Sequence, residues 1–430
     1  MVLRLTYDEK DPVTGHRVTT ATTGEGHTRR YLIDAADQVI AETDPLGHVT
    51  RFTRDRLGRV LTRTDALGRV TTCGYDEKGN TVSVTCPDGR EVSAEYGDFN
   101  RLTRIRGADG NTTRHTYDAC GNRLTSTTPT SDTTHFTHDE AGRLTSVRDP
   151  LGHTTTVHCD QRGLPIEITD PLGAVTCYER DPFGRPVTMT DPTGLTTHLE
   201  WTVEGQLARR IAPDGTSEAW SYDGEGNCTT HTDPLGGTTH FEYTHFDLLT
   251  ARTTPDGTRH EFTHDAELRL IRVTNPQGLT WDYGYDAAGQ LISETDFDDR
   301  TLTYVFDAGS HLVSRTNALD ETTTFERDVL GRTIRKDAAG RVSTFAYDLS
   351  DRLAEAVSPD GIRLTILRDQ YGPRPHRNGR RPHAHVRPRR TGPPHRPHHP
   401  HRRPHHLVPR RRRPPHEPDR LRPHHRQHLR

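Results

Sequence analysis

The stretch Thr116-Tyr117-Asp118-Ala119-Cys120-Gly121-Asn122-Arg123-Leu124 (TYDACGNRL) decides the fold, because its glycine belongs to a beat that runs through most of the chain. Stepping by 21 residues from Gly58 reaches Gly79, Asn100, Gly121, Gly142, Gly163, Gly184, Gly205, Gly226, Asp247, Leu268, Gly289, Ser310 and Gly331, and one step back reaches Asp37. Ten of these 15 positions are Gly and three are Asn or Asp, the residues that best tolerate a positive φ. The beat then slips by one residue to Asp351 and resumes at Gly372.

A second beat of the same period runs between the first. It takes in Gly47, Gly68, Gly89, Gly110, Gly152, Gly173 and so on to Gly278, with Ser131, Asp299 and Asp320 filling its gaps. Most of these glycines close D-P-L-G or P-D-G turns such as Asp149–Gly152 and Pro255–Gly257, where Pro presets φ and Gly supplies the left-handed residue. Two turns per unit leave segments of about six residues, a common strand length. Six and four residues before the first-beat position lie aromatic pairs, as in Trp220/Tyr222, Phe241/Tyr243 and Tyr283/Tyr285, and alternation puts both rings on one face. Two residues after it an apolar side chain recurs, as at Val39, Val60, Leu144 and Leu270. The expected fold class is all-β: tandem 21-residue β-hairpins in one antiparallel array over residues 1–372.

Composition alone points elsewhere. With 30% hydrophobic residues across 430, the chain looks like a disordered one, but disorder gives no reason to hold glycine at one phase and aromatics at another. The low apolar content says instead that each hairpin buries one face and is stabilised by its neighbours. The six cysteines form no C-x-x-C pair, so neither a disulfide framework nor a zinc knuckle is indicated. No signal-peptide pattern opens the chain, and no run of 18 apolar residues marks a membrane span.

One motif argues for an enzyme. Arg259-His260-Glu261-Phe262-Thr263-His264-Asp265 contains H-E-x-x-H, the pattern of a helical zinc site. In the 21-residue frame, however, Phe262 and His264 occupy the two aromatic positions, so the segment is predicted to be strand. Four residues of strand separate the histidines by about 13 Å, too far for one ion bound at about 2 Å. No catalytic, cofactor-binding or metal-ligating residue is therefore assigned, and no cofactor is expected. The repeated aspartates Asp76, Asp118, Asp223, Asp286, Asp307 and Asp348 are expected to bond turn amides, with calcium binding as the sharper alternative. The aromatic rows are expected to be the packed side of the sheet, with a sugar-stacking surface as the alternative.

The units TYDACGNRL, His138–Leu144 (HDEAGRL) and Tyr285–Leu291 (YDAAGQL) resemble the YD repeat of bacterial Rhs proteins. That resemblance implies a long sheet of consecutive hairpins spiralling into an open or partial hollow shell. It implies a non-enzymatic role, encapsulating or presenting a C-terminal toxin in competition between cells, and a secreted or cell-surface location. The alternative it carries is an adhesion module that binds carbohydrate or a protein partner. Against the full family pattern, no N-terminal secretion module, closing core segment or toxin domain is recognised, so the chain is expected to be a shell segment whose own toxin cargo is missing.

From Pro373 to Arg430 the pattern stops. This stretch holds 18 Arg, 14 Pro and 13 His against two acidic residues and is expected to be a disordered tail on an acidic body. No specific nucleic-acid contact is assigned to it, although so many arginines suit loose phosphate binding and its His doublets suit loose metal uptake. The tail reads as a frameshift product, with a genuine basic tail as the alternative: GC-rich codons for Thr-Thr, Tyr-Asp and Gly-Arg yield His, Arg and Pro when shifted. The other reading frames of the gene over this stretch are expected to encode further Y-D-x-x-G-R copies, and a sequence without them would sink the idea.

Overall fold

The computed structural model describes residues 3–369 and 372–378. Among them are 36 β-strands and one short 3-10 turn, Asp98–Asn100, and no α-helix. The strands form one sheet in which each pairs antiparallel with the next in sequence. No helix of the described residues is long and apolar enough to cross a membrane.

Each unit joins a six-residue strand to a five-residue one, as in Thr238–Tyr243 and Leu249–Thr253. Within that pair Phe241 faces Arg252 and Glu242 faces Ala251, after which the register shifts so that Tyr243 meets Leu249. The extra residue is the left-handed one of a bulged turn, the usual device for a tight hairpin that must keep the sheet's twist. At Asp55–Gly58 the Gly58 N–H donates to the Asp55 carbonyl and the Asp55 N–H to the Arg59 carbonyl, both at 3.0 Å. The same pair of bonds closes turn after turn. Leu268 and Ser310, which break the glycine pattern, nevertheless adopt φ of 67° and 63°. The hairpin geometry overrides their side chains, at a local cost of about 1–2 kcal/mol each.

The slip in the beat has a structural cause. Between the strands Thr333–Ala338 and Arg341–Tyr347 the chain turns on two residues, Ala339 and Gly340, both at positive φ. Two consecutive left-handed residues make a type I′ loop, shorter than the bulged turns elsewhere.

Among the described residues there is no thick core: the buried apolar residues are Val18, Ala41 and Ala251, and no large side chain is completely covered. In Thr238–Tyr243 the face carrying Thr239, Phe241 and Tyr243 is half-buried while His240 and Glu242 are exposed. Burial therefore comes from neighbours on the same face, together with the backbone ladder. Threonine hydroxyls bond across the strands beside the second-beat turns, as in Thr127–Thr133 (2.9 Å), Thr232–Thr238 (3.0 Å) and Thr295–Thr301 (2.9 Å). The ladder continues through Gly372–Asn378, paired with Arg363–Asp369, so it runs six residues past the expected array boundary. The remainder of the expected tail, 379–430, lies outside the described residues.

Backbone strain at the odd positions is measurable. Ser310→Gly is expected to stabilise its hairpin by about 1 kcal/mol. Gly215→Ala, at φ 83° with open space around the added methyl, is expected to destabilise by a similar amount. Hydrogen exchange of the two turns, compared with the parent chain, checks both signs.

Candidate functional site

The chemistry-bearing side chains gather at the turns. At most first-beat turns (Thr202 and Thr244 use a hydroxyl in the same place) an aspartate Oδ1 accepts the N–H groups two and four residues on, at 2.9 and 3.0 Å for Asp55 with Leu57 and Arg59. Its Oδ2 accepts the side chain four residues on: Arg59, Arg143, Arg185 and Arg269 each donate Nε at 2.6 Å. Asn80 and Asn122 fill the same role with Nδ2. Second-beat turns repeat the device at Asp65–Arg69 and Asp149–His153. The bonding of turn amides expected at Asp76, Asp118, Asp223, Asp286, Asp307 and Asp348 is present at each. At Asp76, Asp118 and Asp223 the second oxygen is engaged too, by an asparagine.

The aromatic that precedes the aspartate ties one unit to the last. Tyr75, Tyr117, Tyr222, Tyr243 and Tyr285 each donate their hydroxyl to the carbonyl 15 residues earlier, at 2.8–2.9 Å. Trp201 does so with its indole N–H, and Arg54, Arg180 and Arg327 with their guanidinium groups. The clasp arginine of one unit then lies over the next unit's ring, 4.7 Å from the Tyr75 centroid for Arg59 and 4.9 Å from Tyr285 for Arg269. These rings are structural members of the ladder, as the packed-face reading expected.

The sheet also returns on itself. Arg90, beside a second-beat turn, donates to the Leu349 carbonyl at 2.5 Å and to Asp351 at 2.7 Å, about 260 residues away. Asp109 meets Ser350, and His27 Nδ1 meets Glu267 at 2.8 Å, separations of 241 and 240 residues. A methyl on Gly309 would lie 2.9 Å from Arg69 Nη2, so a larger residue there would make the end of Arg69 and the His311 ring give way. In every case a second-beat turn of the earlier coil touches a first-beat turn of the later one. Those separations amount to between about eleven and a half and twelve and a half units, so one turn of the coil takes about 23–25 strands, each unit supplying two.

The seam encloses a half-open cavity of about 520 Å³ between the two coils. Phe52, Arg63 and Asp65 line it from the earlier coil, and Gln290, Ser310 and His311 from the later one. The buried Oε1 of Gln290 has no partner in this structure.

Farther along, the seam gathers Glu25, His27 and Glu267, whose ligand atoms lie within 4.8 Å of one another. This is the arrangement closest to a metal site among the described residues. A cation already stands there: Arg269 is 3.1 Å from both Glu25 and Glu267 and 2.6 Å from Asp265. Desolvation pulls the Glu267 carboxyl upward, but bonds from Thr23 and His27 and the charge of Arg269 outweigh it and hold its pKa low. The cluster is a satisfied charge network joining two coils. Sequence reading missed it because its halves lie 240 residues apart and nothing local announces the number of units per turn.

The H-E-x-x-H stretch is strand, Arg259–His264, with His260 opposite Arg252 and His264 opposite Leu270. His264 fills the tyrosine position, its Nδ1 is buried without a partner, and burial lowers its pKa.

Comparison with known proteins follows this geometry. The RHS Repeat family profile matches ten times: residues 34–70, 55–91, 96–134, 122–155, 160–197, 180–218, 201–238, 222–259, 264–301 and 328–363, more than half of the chain. No curated protein matches. Among solved structures, TcdB2-TccC3 aligns with a TM-score of 0.57 at 14% identity over 85% of this chain. TcdB2-TccC3 without its hypervariable C-terminal region aligns at 0.51 and 14% identity over 87%. The chain covers 27% of each of those two chains.

The clasps make acid the weak point of the array. At Asp139 the Arg143 amide, opposed by desolvation and helped by the Arg143 guanidinium, keeps the pKa below the ordinary aspartate value. At Asp265 desolvation raises it, but the amide and guanidinium of Arg269 prevail and the net shift is also downward. A depressed folded pKa means that the unfolded chain binds protons first as pH falls. The stability is therefore complete above the unfolded value of about 3.9 and is lost as pH drops through the lower folded values. Thermal melts are expected to be flat from about pH 7 to 5 and to fall steeply below about pH 4. Asp139→Asn is expected to lower stability at neutral pH and to converge with the parent chain in acid; a penalty independent of pH would contradict the clasp.

Proposed function

The chain belongs to the RHS Repeat family, and on that premise we propose that it is a non-enzymatic stretch of coiled wall that encloses or presents a polypeptide. The observation that carries this reading is the seam: a one-layer sheet that closes laterally on its own previous coil bounds a volume rather than forming a flat surface. The wall works sterically. Many of its carboxylates, guanidinium groups and tyrosine hydroxyls are spent on turns and neighbouring units. In TcdB2-TccC3 the same fold accompanies a hypervariable C-terminal region, as the name of the truncated structure records. A cargo of that kind, with secretion or cell-surface display and a role between competing cells, is the setting proposed for this chain. The repeat array, to the end of its ladder near 372–378, is the functional unit.

The experiment is protection from protease. The chain is fused at its C-terminus to an unstructured reporter polypeptide, and the reporter is digested beside a free copy. Slower cleavage of the fused reporter, lost when the seam is opened by Arg90→Ala with Arg269→Ala, is the expected result. Equal cleavage rates would remove the enclosing role.

A carbohydrate-binding surface module is the second reading, favoured by the seam cavity with its aromatic Phe52 among charged and amide side chains. Binding on a glycan array that is lost in Phe52→Ala would establish it; no signal above background leaves the wall alone.

A further inference from the structure

His264 stands where Tyr117, Tyr222, Tyr243 and Tyr285 hook the preceding unit through their hydroxyls. The matching carbonyl for position 264 is that of Leu249, and an imidazole carries no hydroxyl to reach it. Beside the imidazole lies a pocket of about 460 Å³, walled by Phe246, Leu248, Phe262 and Leu268 and bounded across the seam by Gly24. The same place in the Tyr117 unit, between Phe99, Arg101 and His115, encloses about 280 Å³. Small-molecule sites run from roughly 300 to 1,000 Å³, so the tyrosine unit falls short of that range and the histidine unit is within it.

Leu268 is a second sign. It holds φ at 67° in a position where most units carry glycine, a conformation that strains a leucine. The turn gains nothing from that side chain, whereas the pocket gains an apolar wall. Strain of this kind gathers at ligand sites. The imidazole supplies the one polar group on that side. Its Nδ1 is buried without a partner, so Nε2 is the nitrogen open to a ligand. Desolvation lowers the His264 pKa against the pull of Asp265, which keeps the ring uncharged near neutral pH. A neutral imidazole nitrogen either donates or accepts, and a hydroxyl serves both cases. Apolar cavities take up small arenes readily, and the imidazole favours an arene that carries a hydroxyl.

We infer that this pocket binds a small phenol, its ring among Phe246, Leu248 and Phe262 and its hydroxyl paired with the His264 imidazole. The ligand supplies the phenolic group that this unit lacks. The site is independent of whether the coil encloses a cargo.

Titration of the full chain with p-cresol and, separately, with toluene, followed by NMR of the ligand, tests this. Saturable binding of p-cresol is the expected result. His264→Tyr gives the unit the residue of its neighbours and is expected to keep the fold, raise the melting temperature and abolish binding. His138→Tyr is the control: His138 fills the same place, but beside Cys120 and Asn122 rather than Phe246 and Leu248, and binding is expected to be unchanged. In His264→Phe the ratio of p-cresol to toluene affinity is expected to fall about fivefold, the effect of one hydrogen bond. Leu268→Gly is expected to stabilise the turn yet weaken both ligands. A parent chain without saturable p-cresol binding overturns the inference. So does binding that survives His264→Tyr, or an affinity ratio that His264→Phe leaves unchanged.

Discussion

A turn-opening side chain, most often an aspartate carboxylate, that accepts backbone N–H groups of its own turn marks where most strands reverse, and the rest of the array depends on that reversal. The two bonds pre-form the bulged turn, so the left-handed residue falls at one place and the register of the following strand is set. In a sheet with almost no buried core, a one-residue slip would move every aromatic to the wrong face. The carboxylate prevents it at most units, and its second oxygen recruits the arginine or asparagine that reaches the next unit.

Stability is correspondingly one-dimensional. Tyrosine hydroxyls bonded 15 residues back, guanidinium groups over the next ring and threonine pairs beside the second turn all act between neighbours. Such an array extends by addition, and a worn copy is carried by the units on either side. The stretch around His264 shows this. The imidazole in the tyrosine position leaves a buried nitrogen unpaired, yet the strand keeps its pairing on both sides.

Much of the local architecture was legible in the sequence. Glycine at a constant phase marked the turns, alternating aromatics marked strand and face, and the helix-type zinc motif was already excluded by its place in the frame. The tyrosine hook was hidden because its acceptor is a backbone carbonyl, which any residue supplies. The short loop at Ala339-Gly340 was visible only as a slip in the beat. Asp65 and Asp265 looked like their counterparts elsewhere, although both sit where two coils approach.

What the sequence by itself determined is the unit: its turns, its strands, its pairing partner and the face its rings occupy, because all of these follow from interactions within about 21 residues. Only the tertiary structure decided how many units make a turn of the coil. That number accumulates from the small twist between successive strands, a backbone property shared by all of them and encoded in no single residue. It is what brings Arg90 to Asp351 and Arg269 to Glu25, and it decides which turns meet across the seam.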